Sequence, residues 1–157
     1  MYYYNRHNIS KSDIDYVSKS LKSKLITKGN FLKLFEKKLR KYFSAKYSLV
    51  YSNATLALFS IAKCLDWGKK DYIILSPISF VAGANAISNV NANPVFVDVD
   101  EYFNLDPDKV EKKIVELRKQ KKKVKAILVT DYAGNPAQWK KFIKLKKKYQ
   151  LTLINDN

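Results

Sequence analysis

Five short segments hold the residue types that could do chemistry, and each follows an apolar run. Ser52-Asn-Ala-Thr55 opens an apolar stretch of helical length. Small residues at a helix start let backbone N–H groups approach an anion, the helix dipole adds attraction, and the Thr55 hydroxyl can donate as well. Ser76-Pro-Ile-Ser-Phe-Val81 sets an aromatic ring, Phe80, behind the second run. Asp98-Val-Asp100, Thr130-Asp-Tyr-Ala-Gly134 and Asn155-Asp156 follow the next three. In an open parallel sheet, ligands bind outside the carboxyl ends of the strands. A phosphate cradle, a flat aromatic face and a carboxylate on that rim suit a phosphorylated aromatic cofactor. Each part also has an ordinary reading. Ser-Asn-Ala-Thr is a common helix N-cap, Phe80 could be core, and Asp156 could cap a following helix.

The elements that must position these residues are legible from periodicity. Ser12 is placed to cap a helix with Ile14, Val17, Leu21 and Leu25 on one face, ending near Thr27-Lys28-Gly29 with glycine as a left-handed C-cap. A second helix carries Phe31, Leu32, Phe35, Leu39, Tyr42 and Phe43. From Tyr47 the pattern changes to five strand-like runs, Ser48–Tyr51, Tyr72–Leu75, Pro94–Val97, Val124–Val129 and Leu151–Ile154. Helix-length segments separate them: Thr55 to Leu65, apolar nearly all round and expected to be buried; Phe80 to Asn89; and stretches opening at Asp106-Pro107 and Asn135-Pro136. Alternating strands and helices predict parallel βαβ units in a doubly wound α/β sheet. No internal repeat or flexible linker interrupts them.

Composition narrows the chemistry. The 157 residues suit one domain. One cysteine, Cys64, excludes an internal disulfide framework and a Cys-rich zinc site, and one histidine, His7, excludes paired-His metal motifs. No metal is expected. Four glycines, at 29, 68, 83 and 134, cannot write a dinucleotide fingerprint or a Walker loop. The N-terminal Met1-Tyr-Tyr-Tyr-Asn-Arg-His-Asn lacks the basic-then-apolar order of a signal peptide, and no run reaches a membrane span of ~18 residues. A reducing cytoplasm is the expected compartment, with no membrane partner. Formal net charge is +16, and residues 108–150 hold 15 Lys/Arg against 4 Asp/Glu, a net +11. Only Arg6, Arg40 and Arg118 are arginines, the usual base readers. The lysines therefore read as solvated helix faces, and nucleic acid is not the expected partner.

Eight stretches, in order along nearly the whole chain, resemble the DegT/DnrJ/EryC1/StrS sugar-nucleotide aminotransferases. They are Ile9–Val17; Leu25-Ile-Thr-Lys-Gly29 with Phe35-Glu36; Ser52-Asn-Ala-Thr-Leu-Ala-Leu58; Ser76-Pro-Ile-Ser-Phe-Val-Ala82; Asn93-Pro-Val-Phe-Val-Asp-Val-Asp100 with Asn104-Leu-Asp106; Lys125-Ala-Ile127; Asp131-Tyr-Ala-Gly134; and Ile154-Asn-Asp-Asn157. Asn-Ala-Thr, Pro-Ile-Ser-Phe and Asp-Tyr-Ala-Gly are similar to the subgroup that aminates UDP-4-keto-6-deoxy-N-acetyl sugars in pseudaminic acid biosynthesis.

The resemblance implies a three-layer, mostly parallel α/β sheet: part of the large domain of fold-type I, pyridoxal 5′-phosphate (PLP)-dependent transferases. Residues 1–45 would form its N-terminal helices and 46–157 its βαβ units. It implies that Asn53, Ala54 and Thr55 hold the PLP phosphate, that Phe80 stacks on the ring, and that Asp156 pairs with the ring nitrogen, while Thr27 and Gly29 lie near the substrate. A nucleotide-linked keto-sugar and an amino donor, glutamate, would be the substrates, with the full-length protein a homodimer making surface polysaccharide. The family's Schiff-base lysine and small domain lie beyond Asn157, so a truncated chain, inactive alone and with an exposed sheet edge, is expected. Two other classes stay open. Val95-Phe-Val-Asp-Val-Asp100 resembles a magnesium-dependent phosphatase start with Asp98 as nucleophile and Asp100 as acid/base, although Glu101-Tyr102 departs from that pattern. A Lys-rich, non-catalytic nucleic-acid-binding remnant is the other.

Overall fold

The computed structural model describes residues 6–157; residues 1–5, which belong to the expected N-terminal segment, lie outside the described residues. Two compact units divide the chain, residues 1–51 and 52–157.

The first unit holds α1 (Lys11–Leu21) and α2 (Asn30–Tyr42). The cap of α1 is Ser10, not Ser12. Its side chain accepts from the Asp13 N–H, and Asp13 Oδ2 accepts from the Ser10 N–H at 2.7 Å, a reciprocal capping box. The helix stops at Leu21, well short of Gly29. The Ser23 hydroxyl donates to the carbonyls of Ser20 (2.7 Å) and Leu25 (3.1 Å), a local bond that competes with continued helix. Gly29 is the N-cap of α2 at φ −73°, ψ −176°, not a left-handed C-cap. Glycine is needed there because a Cβ would stand 2.3 Å from the Leu25 carbonyl oxygen. The run Ser48–Tyr51 forms no strand. Its Val50 N–H donates to Glu36 Oε1 at 3.2 Å, so a side chain satisfies what a ladder would have.

The second unit is a three-layer α/β/α sandwich. Four parallel strands, β1 (Asp71–Leu75), β2 (Asn93–Phe96), β3 (Lys123–Thr130) and β4 (Thr152–Asp156), lie in the order β2-β1-β3-β4. The four strands match the later four expected runs. Strand alternation sends Ile73, Leu75, Ala126 and Leu128 to one face, where they pack with Leu58, Ala62, Trp67, Ala82, Ala86 and Ile87 of the α3 (Ala54–Cys64) and α4 (Ala82–Ser88) side. Ile74, Ile127 and Val129 point the other way, against α5 (Pro107–Lys119) and α6 (Trp139–Tyr149) through Val110, Ile114, Leu117, Phe142 and Leu145. Gly83 lets α4 approach β3, since a Cβ there would lie 2.8 Å from a Leu128 methyl.

Two expectations for the helices change. Only Leu58 and Ala62 of α3 are buried, because one face meets the sheet while Leu56 stays exposed. Helix α6 begins at Trp139, not at Pro136. Asp131 Oδ1 accepts the Ala137 N–H at 2.8 Å and the Trp139 indole N–H at 2.8 Å, which holds the preceding residues out of the helix. Proline does open α5 as read, under Asp106, whose Oδ1 accepts the N–H groups of Asp108 (2.8 Å) and Lys109 (3.2 Å).

Candidate cofactor site

The strand order reverses direction between β1 and β3: from β1 the chain crosses to β2 on one side, then to β3 on the other. Such a switch point leaves a crevice at the carboxyl ends of the two strands, because the connections leave toward opposite sides. A cleft of about 710 Å³ lies there, lined by Pro77–Phe80 after β1, Thr130–Tyr132 after β3, and Asp156 and Asn157 at the end of β4. The hydroxyls of Ser79 and Thr130 meet across it at 3.3 Å.

The structure thus brings Phe80 and Asp156 to one cleft. Phe80 is 75% exposed. A phenyl ring left in water on a rim is a free stacking face. Asp156 is half-buried, and burial pushes its carboxyl above the usual carboxylate range. No ion pair involves it among the described residues. A desolvated carboxylate without a cation is stabilised by a protonated heterocyclic nitrogen, so the donor set fits a pyridinium ring.

Asn53, Ala54 and Thr55 stand at the start of α3, outside the lining of that cleft. Asn53 is the N-cap, with Oδ1 accepting the Leu56 N–H at 2.9 Å. The cap serves the third helical N–H and leaves those of Ala54 and Thr55 without a helical partner. Six residues separate α3 from β1. Helix α3 packs on the same sheet face as Ile73 and Leu75. Eleven residues at ~1.5 Å match five at ~3.3 Å. A helix that runs back along β1 would set its N-terminus toward the carboxyl rim of the sheet, where free N–H groups suit a phosphate. Thr27 and Gly29 lie in the other unit, residues 1–51.

Asp98 and Asp100 are engaged by other partners. Asp98 Oδ2 pairs with Lys109 Nζ at 2.7 Å, which lowers its pKa. Asp100 Oδ1 accepts the N–H groups of Tyr102 (2.9 Å) and Asn104 (3.1 Å). Among the described residues no cluster of three or more His, Cys, Asp or Glu is placed to hold a metal. These carboxylates shape a turn. The lysines of α5 and α6 include ion pairs Lys113–Glu116, Lys141–Asp108 and Lys148–Glu111 on solvated surfaces. Among the described residues, no helix is long and apolar enough to cross a membrane.

The groups that shape the cleft wall carry little residue-type signal. Asn104 is buried; its Oδ1 accepts the Tyr132 N–H at 2.9 Å and its Nδ2 donates to the Asn135 carbonyl at 3.0 Å. It pins the turn that carries Asp131 and Tyr132. The sequence signal was an asparagine between aromatic Phe103 and apolar Leu105, a place where an amide survives only when fully bonded.

A model of the DegT/DnrJ/EryC1/StrS aminotransferase family matches residues 7–157. The UDP-4-amino-4,6-dideoxy-N-acetyl-beta-L-altrosamine transaminase of Campylobacter jejuni is 35% identical over 153 residues, 98% of this chain and 40% of that protein. Helicobacter pylori PseC, an aminotransferase involved in the biosynthesis of pseudoaminic acid, superposes with a TM-score of 0.88 at 32% identity, covering 99% of this chain and 41% of that one. NtdA from Bacillus subtilis, with bound cofactor PMP (pyridoxamine 5′-phosphate), superposes with a TM-score of 0.81 at 26% identity, over 94% and 34% of the two chains. The chain spans about two fifths of the length of the C. jejuni and H. pylori relatives and about one third of NtdA. It belongs to the DegT/DnrJ/EryC1/StrS aminotransferase family.

Proposed function

We propose that this member of the aminotransferase family supplies the cofactor-binding part of a PLP-dependent enzyme that aminates nucleotide-linked 4-keto-6-deoxy sugars for surface polysaccharide. The observation that carries the reading is the pairing of an exposed Phe80 with a partly buried Asp156, which has no ion pair among the described residues, in the cleft at the switch point. The C. jejuni and H. pylori relatives support the sugar class through what they are named for, and NtdA supports the cofactor through its bound PMP. When bound, the cofactor supplies an electron sink and an amino-group carrier.

The residues of this chain bind and tune. Ala54 and Thr55 N–H groups, with Asn53 capping behind them, fix the phosphate. Phe80 covers one ring face and excludes water from it. Asp156 holds the ring-nitrogen proton in place by accepting it in a charge-assisted hydrogen bond. Thr27 and Gly29 are assigned to the substrate side by family resemblance alone. Glutamate as donor and a homodimeric full-length protein belong to the same proposal, as does a cytoplasmic setting. The covalent step is assigned to a lysine outside these 157 residues, so the chain alone is proposed to bind cofactor and not to turn over.

PMP is the probe that tests this. It has no aldehyde, so the many surface lysines cannot capture it covalently. Titration of the 157-residue chain with PMP, followed by fluorescence or calorimetry, should show saturable binding. Phe80→Ala and Asp156→Asn should each weaken it by about tenfold or more, the loss of a stacking face or of a charged hydrogen bond. Binding unchanged in both variants would refute the reading.

A further inference from the structure

Thr130 of β3 pairs with Asp156 of β4, the last register of the ladder. The next two residues, Asp131 and Asn157, continue the pairing through side chains. The Asp131 N–H donates to Asn157 Oδ1 at 3.1 Å, and Asn157 Nδ2 donates to Asp131 Oδ2 at 3.0 Å. A backbone N–H only donates, so the Asn157 amide has a single orientation that satisfies both bonds. The other carboxylate oxygen, Asp131 Oδ1, accepts the Ala137 N–H and the Trp139 indole N–H, both at 2.8 Å. One carboxylate therefore ties three segments together: the end of β3, the start of α6, and the end of β4. Trp139 in turn lies against Phe142, their ring centroids 6.3 Å apart, and Phe142 is fully buried in the α5–α6 core.

We infer that Asp131 is a positioning residue for the cofactor site: it clamps the carboxyl end of β4 to that of β3 so that Asp156 is held in the cleft facing the Phe80 side. The backbone pairing of β3 and β4 ends at Thr130 and Asp156, and the end of a ladder opens first. The adjacent Asp131–Asn157 clamp removes that freedom where the site needs a fixed carboxylate. This rests on the reading of Asp156 as the ring-nitrogen partner. The titratable side chains lining the cleft beside Asp156 are Asp131 and Tyr132.

The bond pattern allows a swap test. In Asp131→Asn, the one remaining side-chain oxygen is held by two donors, the Ala137 N–H and the Trp139 indole N–H, which sets the new amide N–H against the Asn157 amide N–H. Flipping Asn157 turns its N–H toward the residue 131 backbone N–H, and flipping the new amide gives up both the Ala137 and the Trp139 bond, so no arrangement keeps all four bonds. In the double variant Asp131→Asn/Asn157→Asp, the new carboxylate accepts from both donors and the net charge is kept. Asn157→Ala breaks the clamp without changing charge. On the 157-residue chain, Asp131→Asn and Asn157→Ala should each weaken PMP binding by about fivefold, the loss of roughly one net hydrogen bond, and the double variant should recover most of it. Amide hydrogen exchange at Ile154–Asp156 without ligand should rise in both single variants and fall back in the double. If Asp156→Asn weakens PMP binding while the clamp variants bind and exchange like the parent, the clamp is overturned and the cofactor reading stands. If Asp156→Asn binds PMP like the parent, the cofactor reading fails, and the exchange data alone decide whether the clamp holds β4. An equal loss of binding in the single and double variants also overturns it.

Discussion

The two units of the chain carry similar sequence signals and reach different ends. Helices α2 and α5 are each 13 residues long and amphipathic. In α5, Val110, Ile114 and Leu117 are buried against a sheet. In α1 and α2 no side chain is buried, and Ile14, Val17, Leu21 and Phe35 are more than half exposed. An apolar stripe at 3.6-residue spacing specifies a helix and the face it would bury. It does not specify that a covering surface lies within the same 157 residues. Stability in residues 52–157 comes from burial on two sheet faces; in residues 6–51 it falls to caps and local hydrogen bonds.

Substitutions sharpen that contrast, and the largest effect is expected in the sheet cores. Phe142→Ala should cost about 3–5 kcal/mol by denaturant melting, since the ring is fully buried between α6 and the sheet. Leu21→Ala, at an exposed site of equal apolarity, should stay within about 0.5 kcal/mol. A comparable cost for Leu21→Ala would erase the distinction. Glycine gives the next test, and reverses its direction. Gly29→Ala sets a Cβ against a backbone oxygen and should cost about 1–3 kcal/mol. Gly83→Ala meets the ends of the Leu128 and Leu75 side chains, not backbone, and gains helix propensity, so its net effect should be under about 1 kcal/mol. Caps come third. Asp106→Ala loses bonds to two N–H groups and should cost about 1–2 kcal/mol, against roughly 0.5–1 for the exposed Ser10→Ala.

The smallest effect has the most telling sign. Burial raises the Asp156 pKa in the folded chain above its unfolded value. Ionised Asp156 therefore opposes folding at pH above the folded pKa, and that penalty disappears as pH falls below the unfolded value near 3.8. Asp156→Asn should raise the melting temperature slightly at pH 7, leave it unchanged near pH 3, and weaken PMP binding. A variant that gains stability while losing ligand marks a group kept for binding. A destabilised Asp156→Asn at pH 7 would assign the carboxylate to the fold.

Much of the architecture was legible because β-branched runs alternate with capped helices: all four strands, Pro107 at the head of α5, and the family motifs. The missed features were those where a side chain replaces a backbone partner. Ser48–Tyr51 reads as a strand by composition, yet Glu36 takes its N–H. Pro136 reads as a helix start, yet Asp131 holds Ala137 and Trp139. Ser12 reads as a cap, although the Ser10-Lys-Ser-Asp13 box was present two residues earlier. That Phe80 and Asp156 line one cleft was legible from their places near the carboxyl ends of two strand-like runs. Asn104, Asp131 and Asn157 were not, because their roles exist only once segments 26 to 31 residues apart are brought together.

One ligand is proposed to span the α3 N-terminus, Phe80 and Asp156. Amide and side-chain NMR shifts of the 157-residue chain during PMP titration read out that span. Perturbations should concentrate at Ala54 and Thr55, at Ser79–Phe80 and at Asn155–Asp156, saturating with a single dissociation constant. Shifts confined to the lysine faces of α5 and α6, with Ala54, Phe80 and Asp156 silent, would contradict it.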